Sequence, residues 1–206
     1  MLAFNSTGTV YATNPDADSI VGFASNLVQN VYPSTWIQGT ATGLAQPNGI
    51  AIDASGDIFV ANTGNNSVTA YLPVATTITP ANEAPFVTLA GSNTGLNAPV
   101  GLAFDTFGRL WVSNRGSNAI EIFPTNAFGN RAPTFTISGP ATQLASPQEI
   151  GFDLGGQLDV ANLNGSLEVF SPLPFPLPGN GNIAPSLVIT GNATQLNLPV
   201  GVTTPR

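Results

Sequence analysis

Four asparagines recur at nearly constant spacing and are the first candidates for chemistry in this chain. They are Asn14, Asn62, Asn114 and Asn162, separated by 48, 52 and 48 residues, and each closes a short apolar run. Amide oxygens suit hard cations such as Ca2+, so a ring of them could hold an ion or a polar ligand. Asparagine side chains also bond to the backbone of nearby turns, and a residue that recurs in every repeat favours that structural interpretation.

A glutamate that departs from the repeated pattern is the second candidate. Glu149 stands where the corresponding positions of other repeats hold Gly49 and Gly101. Arg115 lies in the loop that follows the third asparagine, and we expect it on the same side of the fold as Glu149. The pair could bind a metal ion, polarise a substrate or form a surface ion pair that stabilises the protein by about 0 to 1 kcal/mol.

Aspartates supply the remaining carboxylates. Asp16 and Asp18 follow the first asparagine and are candidate ligands for a weakly bound calcium ion. Asp53, Asp105 and Asp153 each precede a glycine by three residues, a spacing typical of hairpin turns that a carboxylate caps. We therefore treat the first two as possible metal ligands and the other three as turn caps.

Composition excludes several classes of function. Histidine and cysteine are absent, so the chain has no Ser-His-Asp triad, no histidine base and no thiolate nucleophile. Eleven carboxylates face four arginines, which gives a net charge of -7 and argues against a nucleic-acid partner. No apolar run approaches the roughly 20 residues of a membrane span.

A repeat of about fifty residues positions these side chains. The stretch PNGIAIDASGDIFVANTGNNSV, residues 47–68, reappears with changes at residues 99–120 and 147–167, and residues 1–20 are a copy without the leading proline. Several short β-branched and aromatic runs per period are typical of a β-propeller blade. For the second blade we predict strands at Gly49–Asp53, Asp57–Ala61, Val68–Leu72 and Phe86–Ala90.

The predicted fold class is all-β, a single propeller domain of four-stranded antiparallel blades with four blades in this chain. The blades cover about residues 1–46, 47–98, 99–146 and 147–198, followed by a tail at 199–206. In such a fold the four asparagines, Glu149 and Arg115 lie at one mouth of the central channel. Proline-rich linkers such as 172–185 are predicted to form extended surface loops.

The terminal blades can be covered in several ways. Some cover is needed because an open row exposes the apolar faces of both terminal blades. The chain could close as a four-bladed ring with its tail over blade one, which we favour slightly. It could associate with further copies into a larger ring or stack, or it could be part of a longer protein. Asp159 replaces the aromatic residues Phe59 and Trp111 of other blades, so we expect either an open face on blade four or a partner there.

The pattern L-x-x-P-x-G-[IL]-A-[IF]-D-x-x-G-x-[IL]-[FW]-V-[AS]-N-x-G-x-N-[SA]-[VI] resembles NHL-repeat β-propellers, whose rings are often six-bladed. That resemblance covers four copies and implies the fold, but the group includes lyases, lactonase-like hydrolases and binding scaffolds. Virginiamycin-lyase members depend on histidines, which this chain lacks. Gluconolactonase-like members use Glu, Asn and Asp around a divalent ion, a set that Glu149 with Asn114 and Asn162 could imitate.

We therefore expect a non-enzymatic propeller without a cofactor that binds a protein, or a small-molecule or glycan ligand, or that assembles with copies of itself. Charged residues make up only 7% of the chain, and its Asn- and Thr-rich polar composition is common in extracellular bacterial β-proteins, so we expect an extracellular or periplasmic location. The alternative is a metal-dependent, lactonase-like hydrolase around Glu149 that uses Ca2+ or another divalent cation.

Overall fold

Each repeat folds into one antiparallel sheet of four consecutive strands. The computed structural model describes residues 1–25, 31–74, 79–173 and 181–202. In chain order the strands are β1 (Leu2–Phe4), β2 (Val10–Asn14), β3 (Ser19–Phe23), β4 (Thr35–Gln38), β5 (Pro47–Ile52), β6 (Ile58–Asn62), β7 (Ser67–Tyr71), β8 (Val87–Ala90), β9 (Pro99–Phe104), β10 (Leu110–Asn114), β11 (Ala119–Phe123), β12 (Phe135–Ser138), β13 (Pro147–Phe152), β14 (Leu158–Asn162), β15 (Ser166–Phe170) and β16 (Leu187–Ile189). Short 3-10 helices lie at Pro15–Ala17, Pro140–Thr142 and Asn192–Thr194. Among the described residues, no helix has the length and apolar character needed to cross a bilayer.

The predicted all-β propeller of four four-stranded antiparallel blades is confirmed. Aspartates cap the turns between the first two strands of blades two to four, as predicted. Asp53 Oδ1, for example, accepts hydrogen bonds from the backbone N–H groups of Ser55 and Asp57 at 2.8 and 2.9 Å. Half of the linker predicted at 172–185, residues 174–180, lies outside the described residues.

Blades pack face to face, and we call the side of a blade toward the preceding blade its leading face and the other side its trailing face. Buried hydrophobic clusters join blade one to two, two to three and three to four. Edge-to-face aromatic pairs cross two of these interfaces, Phe59 with Phe104 and Trp111 with Phe152. Because both faces of blade three are covered, every residue of β10 and β11 is buried.

Two glycines let the innermost strands approach each other closely. A Cβ added to Gly49 would overlap the carbonyl oxygen of Val100 in the next blade, and one added to Gly101 would overlap that of Gln148. Glu149 occupies the same repeat position in blade four. Blade four therefore has a side chain at the position where glycine allows the next blade to approach blades two and three closely.

The junction between blade four and blade one differs from the other three. No buried hydrophobic cluster joins these two blades within the described ranges. The leading face of blade one exposes Leu2 by 66% and Phe4 by 49%, and the trailing face of blade four exposes Leu187 by 52%. Asp159 lies half-buried on that trailing face, where an open surface supplies the water that a carboxylate requires. Closure of a four-bladed ring within the chain stays a prediction.

Candidate functional site

Three of the four repeated asparagines are fully buried and bind the loop that leads into their own blade. Asn62, Asn114 and Asn162 have no exposed surface. Each side-chain oxygen accepts a hydrogen bond from the backbone N–H seventeen residues earlier, that of Ala45, Asn97 or Ala145, at 3.0 to 3.2 Å. These bonds favour the structural interpretation of the asparagines, and ligand binding by them stays a prediction.

Asn14 is the exception, because its side chain is exposed at the edge of blade one. Its amide nitrogen donates to Ser19 Oγ at 3.2 Å, as the equivalent atom of Asn62 does to Ser67 Oγ. No loop of the described chain covers its oxygen in the way that the loop at Ala45 covers that of Asn62. The same residue type is therefore part of the fold in blade two and accessible in blade one.

Replacing Asn62 by alanine is expected to lower the free energy of unfolding by about 2 to 3 kcal/mol, because buried partners lose their hydrogen bonds. Asn62 also donates to Thr69 Oγ1 at 2.9 Å, inside the fold. Asn14→Ala is the matched control and should change the same quantity by less than about 0.5 kcal/mol. Urea unfolding of both variants measures the difference, and equal losses would contradict the structural role of Asn62.

The charged candidates Arg115 and Asp18 each form a hydrogen bond with the backbone of a rim loop. Arg115 is half-buried, and its backbone N–H donates to the carbonyl of Ala98 at 3.1 Å. Within the described ranges, no salt bridge joins it to Glu149. Asp18 accepts a hydrogen bond from Gln46 N at 2.6 Å, the role that Asn66 and Asn118 have in later blades, which assigns it a structural part in the rim.

Asp16 is exposed in the 3-10 helix after Asn14. The part of the chain that the structure describes contains no group of three or more Asp and Glu side chains placed to hold a metal ion. Asp16 and Asp18 as calcium ligands stay a prediction, and the present geometry gives them no third carboxylate.

Glu149 lies in a central groove of about 690 Å³ that the inner strands of all four blades line. The other lining side chains are apolar, among them Ile50, Leu102 and Phe152. Burial in this apolar groove raises the pKa of the Glu149 carboxyl to about 8, and the nearby α-amino group of Met1 partly opposes that rise. The groove therefore holds one carboxyl group whose burial favours its protonated form.

Asn114 and Asn162 do not reach this groove, because their side chains are buried at the rim. The Glu, Asn and Asp set that the sequence suggested for a divalent cation is thus not assembled around Glu149. The described residues do not fit a metal ion at this place.

Two buried glutamates were not among the sequence candidates. Glu121 in β11 and Glu168 in β15 occupy the repeat position of Thr69 and are 5% and 1% exposed. Burial raises the pKa of the Glu121 carboxyl to about 7, and a hydrogen bond from the hydroxyl of Thr136 partly opposes it. Burial also raises the pKa of Glu168, against a hydrogen bond from Ser166. The available signal was a glutamate inside an apolar strand, as in Ala119–Phe123.

A comparison with protein families places the chain. A family model described as the SMP-30/Gluconolactonase/LRE-like region matches residues 2–147, which is more than two thirds of the sequence. The chain belongs to this family. No curated protein sequence matches it.

Solved structures similar to this SMP-30/gluconolactonase/LRE-like chain are propellers of greater length. Virginiamycin B lyase from Staphylococcus aureus is 14% identical, with a TM-score of 0.57 over 86% of this chain and 55% of the lyase. The WD40 propeller domain of Doa1 is 12% identical, with a TM-score of 0.63 over 92% of this chain and 52% of that one. A chain from the mitotic checkpoint complex is 11% identical, with a TM-score of 0.60 over 98% of this chain and 53% of its own length. At these identities the likeness concerns the fold, and the chain spans about half the length of the structures it matches.

Proposed function

We propose that this chain is a non-enzymatic binding and assembly module of the SMP-30/gluconolactonase/LRE-like family, with NHL-type repeats as its blades. The observation that carries the proposal is the composition of the central groove. Glu149 is the sole side-chain carboxylate among the described residues that line it. The amides that would complete a polar site are engaged in loops at the rim.

A protein is the partner class that we propose. The support is a lateral groove of about 550 Å³ on the leading face of blade one, lined by Val21, Phe23, Tyr32 and Trp36. Exposed aromatic side chains with polar neighbours are enriched where proteins bind each other. A small-molecule or glycan ligand is the second class, since Asn14 and Gln38 place amides beside these rings.

We further propose that the module acts outside the cytoplasm, in an extracellular or periplasmic space. The support is compositional, because a chain with 7% charged residues obtains its surface polarity from Asn, Thr, Ser and Gly.

A lactonase-like hydrolase is the second candidate function. Family membership supports it, and so does the raised pKa of Glu149, because a carboxyl group with a pKa of about 8 can serve as a general acid or base. Against it stand the buried positions of Asn114 and Asn162, which leave Glu149 without the partners of a divalent-metal site.

The two candidates are separated by adding Ca2+, Mg2+ or Zn2+ to the protein and measuring both its melting temperature and its hydrolysis of a simple aldonolactone. For a binding module we expect no turnover above the uncatalysed rate and less than about 1 °C of change in melting temperature, because one carboxylate binds a divalent cation weakly.

The matched variants are Glu149→Gln in the groove and Glu83→Gln on an exposed linker. Metal-dependent turnover that Glu149→Gln abolishes and Glu83→Gln retains would establish the hydrolase and overturn the binding module. Absence of turnover in all three proteins supports the binding module.

A further inference from the structure

The leading faces of blades two, three and four are covered in the same way. Each receives the trailing face of the preceding blade together with the loop that leaves that blade. The loops lie at residues 39–46, 91–98 and 139–146, and each donates a backbone N–H to the buried asparagine of the blade that it covers. A complete interface thus needs both a trailing face and such a loop.

A hydroxyl group also crosses each of these interfaces. Thr13 Oγ1 donates to the carbonyl of Asn48 and Thr63 Oγ1 to that of Pro99, both at 2.6 Å. Ser113 Oγ donates to the carbonyl of Gln148 at the third interface. These bonds fix the next blade against the trailing face of the one before it.

Blade one has the residues of a leading face, but no blade of the described chain packs against it. Leu2, Phe4 and Phe23 stand at the repeat positions of side chains that are packed in later blades, and Asn14 stands at that of Asn62. Leu2 is exposed, and the aromatic groove at Phe23 is open. Among the described residues, no loop N–H donates to the oxygen of Asn14 as it does to the oxygens of its counterparts.

The chain contains a loop and a trailing face of the kind that cover the leading faces of the other blades. The loop Gly191–Leu198 keeps the conformation of the covering loops, with Thr194 Oγ1 donating to Gly191 O and a positive φ at Leu198, as at Gln46, Ala98 and Ser146. Nothing lies within 4 Å of a Cβ added to Gly191, whereas Asn82, Asn130 and Asn182 lie against the equivalent glycines. Within the described ranges, the loop and the trailing face of blade four meet no further blade, and only the tail residues Gly201 and Val202 lie beside that face.

We propose that the leading face of blade one binds a second copy of this chain, through blade four and the loop Gly191–Leu198 of that copy. The repeat register then makes the backbone N–H of Asn197 in the second copy the donor to Asn14 Oδ1. This inference rests on the proposed function, since it names the partner of the assembly module.

The number of blades agrees with closure by two chains. Two copies with four blades each supply eight, the upper end of the usual range of four to eight. Structures similar to this chain are longer than it is, since it covers 52% to 56% of them. A pair of chains thus has enough blades for one ring.

The trailing face of blade four makes this interface weaker than those within the chain. Asp159 replaces Phe59 and Trp111, and Ala161 and Leu163 offer no hydroxyl to the next blade. A carboxylate moved from water into an apolar contact opposes association. We therefore expect a reversible dimer whose affinity increases when Asp159 is replaced by phenylalanine.

Sedimentation velocity of the full chain over a concentration series tests the proposal. We expect conversion from one to two chains with increasing concentration. Leu2→Glu should shift the midpoint at least tenfold toward higher concentration, and Asp159→Phe should shift it the opposite way. Leu154→Glu is the control, because Leu154 is 78% exposed in a turn of blade four on the side toward blade three, away from the trailing face that the proposed interface uses.

Since Leu2 is exposed, the glutamate leaves the fold of the single chain intact, and circular dichroism of the variant verifies this. A single-chain mass at every concentration, a dimer that Leu2→Glu leaves unchanged, or masses above two chains would each overturn the proposal. None of these outcomes bears on the lactone assay, so the binding module and its self-association fail separately.

Discussion

Gly49→Ala is expected to destabilise the protein by about 3 kcal/mol or more, because the added methyl group overlaps backbone atoms, which cannot rotate away as a flexible side chain could. The Cβ would overlap the carbonyl oxygen of Val100 and crowd Gly101 in the next blade. To relieve that overlap, the interface between blades two and three must separate, which also loosens the buried cluster around Leu102 and Phe123. For a chain of this length the melting temperature should fall by roughly 6 to 12 °C.

Gly201→Ala is the control at the same repeat position. Nothing lies within 4 Å of a Cβ added to Gly201, and its backbone does not adopt a positive φ. We expect a change in melting temperature of less than about 2 °C, since neither overlap nor backbone strain arises. Equal melting temperatures for Gly49→Ala and the unaltered protein would show that the inner strands are not packed as described.

The fold could be predicted from the sequence because every blade packs against its neighbours in the same way. Recurring glycine, asparagine and aspartate positions mark the turns, and strands that are apolar on both alternate positions indicate sheets covered on two sides. β6, predicted at residues 57–61, lies at Ile58–Asn62. Closure of the ring could not be predicted from the sequence, since it depends on the contact of blade four with blade one and not on any single repeat.

The site was predicted less well, because repeat position fixes where a residue stands but not whether it is covered. Asn14 and Asn62 share one position, yet one is exposed and the other is buried beneath the loop at Ala45. Glu149 was identified because it departs from glycine. Glu121 and Glu168 depart from Thr69 in the same manner, but their positions within strands gave no indication of a loop or a rim.

These buried glutamates predict the pH dependence of stability. The pKa of Glu121 is raised from 4.5 in the reference state to about 7 in the folded protein, because burial disfavours the carboxylate. Between these two pH values the folded chain holds a proton that the unfolded chain has released, so the free energy of unfolding decreases as the pH rises. Glu149 and Glu168 have raised pKa values as well and act with the same sign.

Glu121→Gln should reduce the pH-dependent decrease in the free energy of unfolding by about 3 kcal/mol. This value is the free-energy equivalent of the shift in pKa between the unfolded and folded states. Glutamine carries no proton to lose, and its side-chain oxygen still accepts the hydrogen bond that Thr136 donates to the glutamate. Urea unfolding at pH 5, 7 and 9 measures the effect, with the variant gaining most over the unaltered protein at pH 9. Glu83→Gln, on an exposed linker, should leave the pH profile unchanged. A free energy of unfolding that rises from pH 5 to 9, or an identical profile for Glu121→Gln, would contradict a protonated carboxyl group between blades two and three.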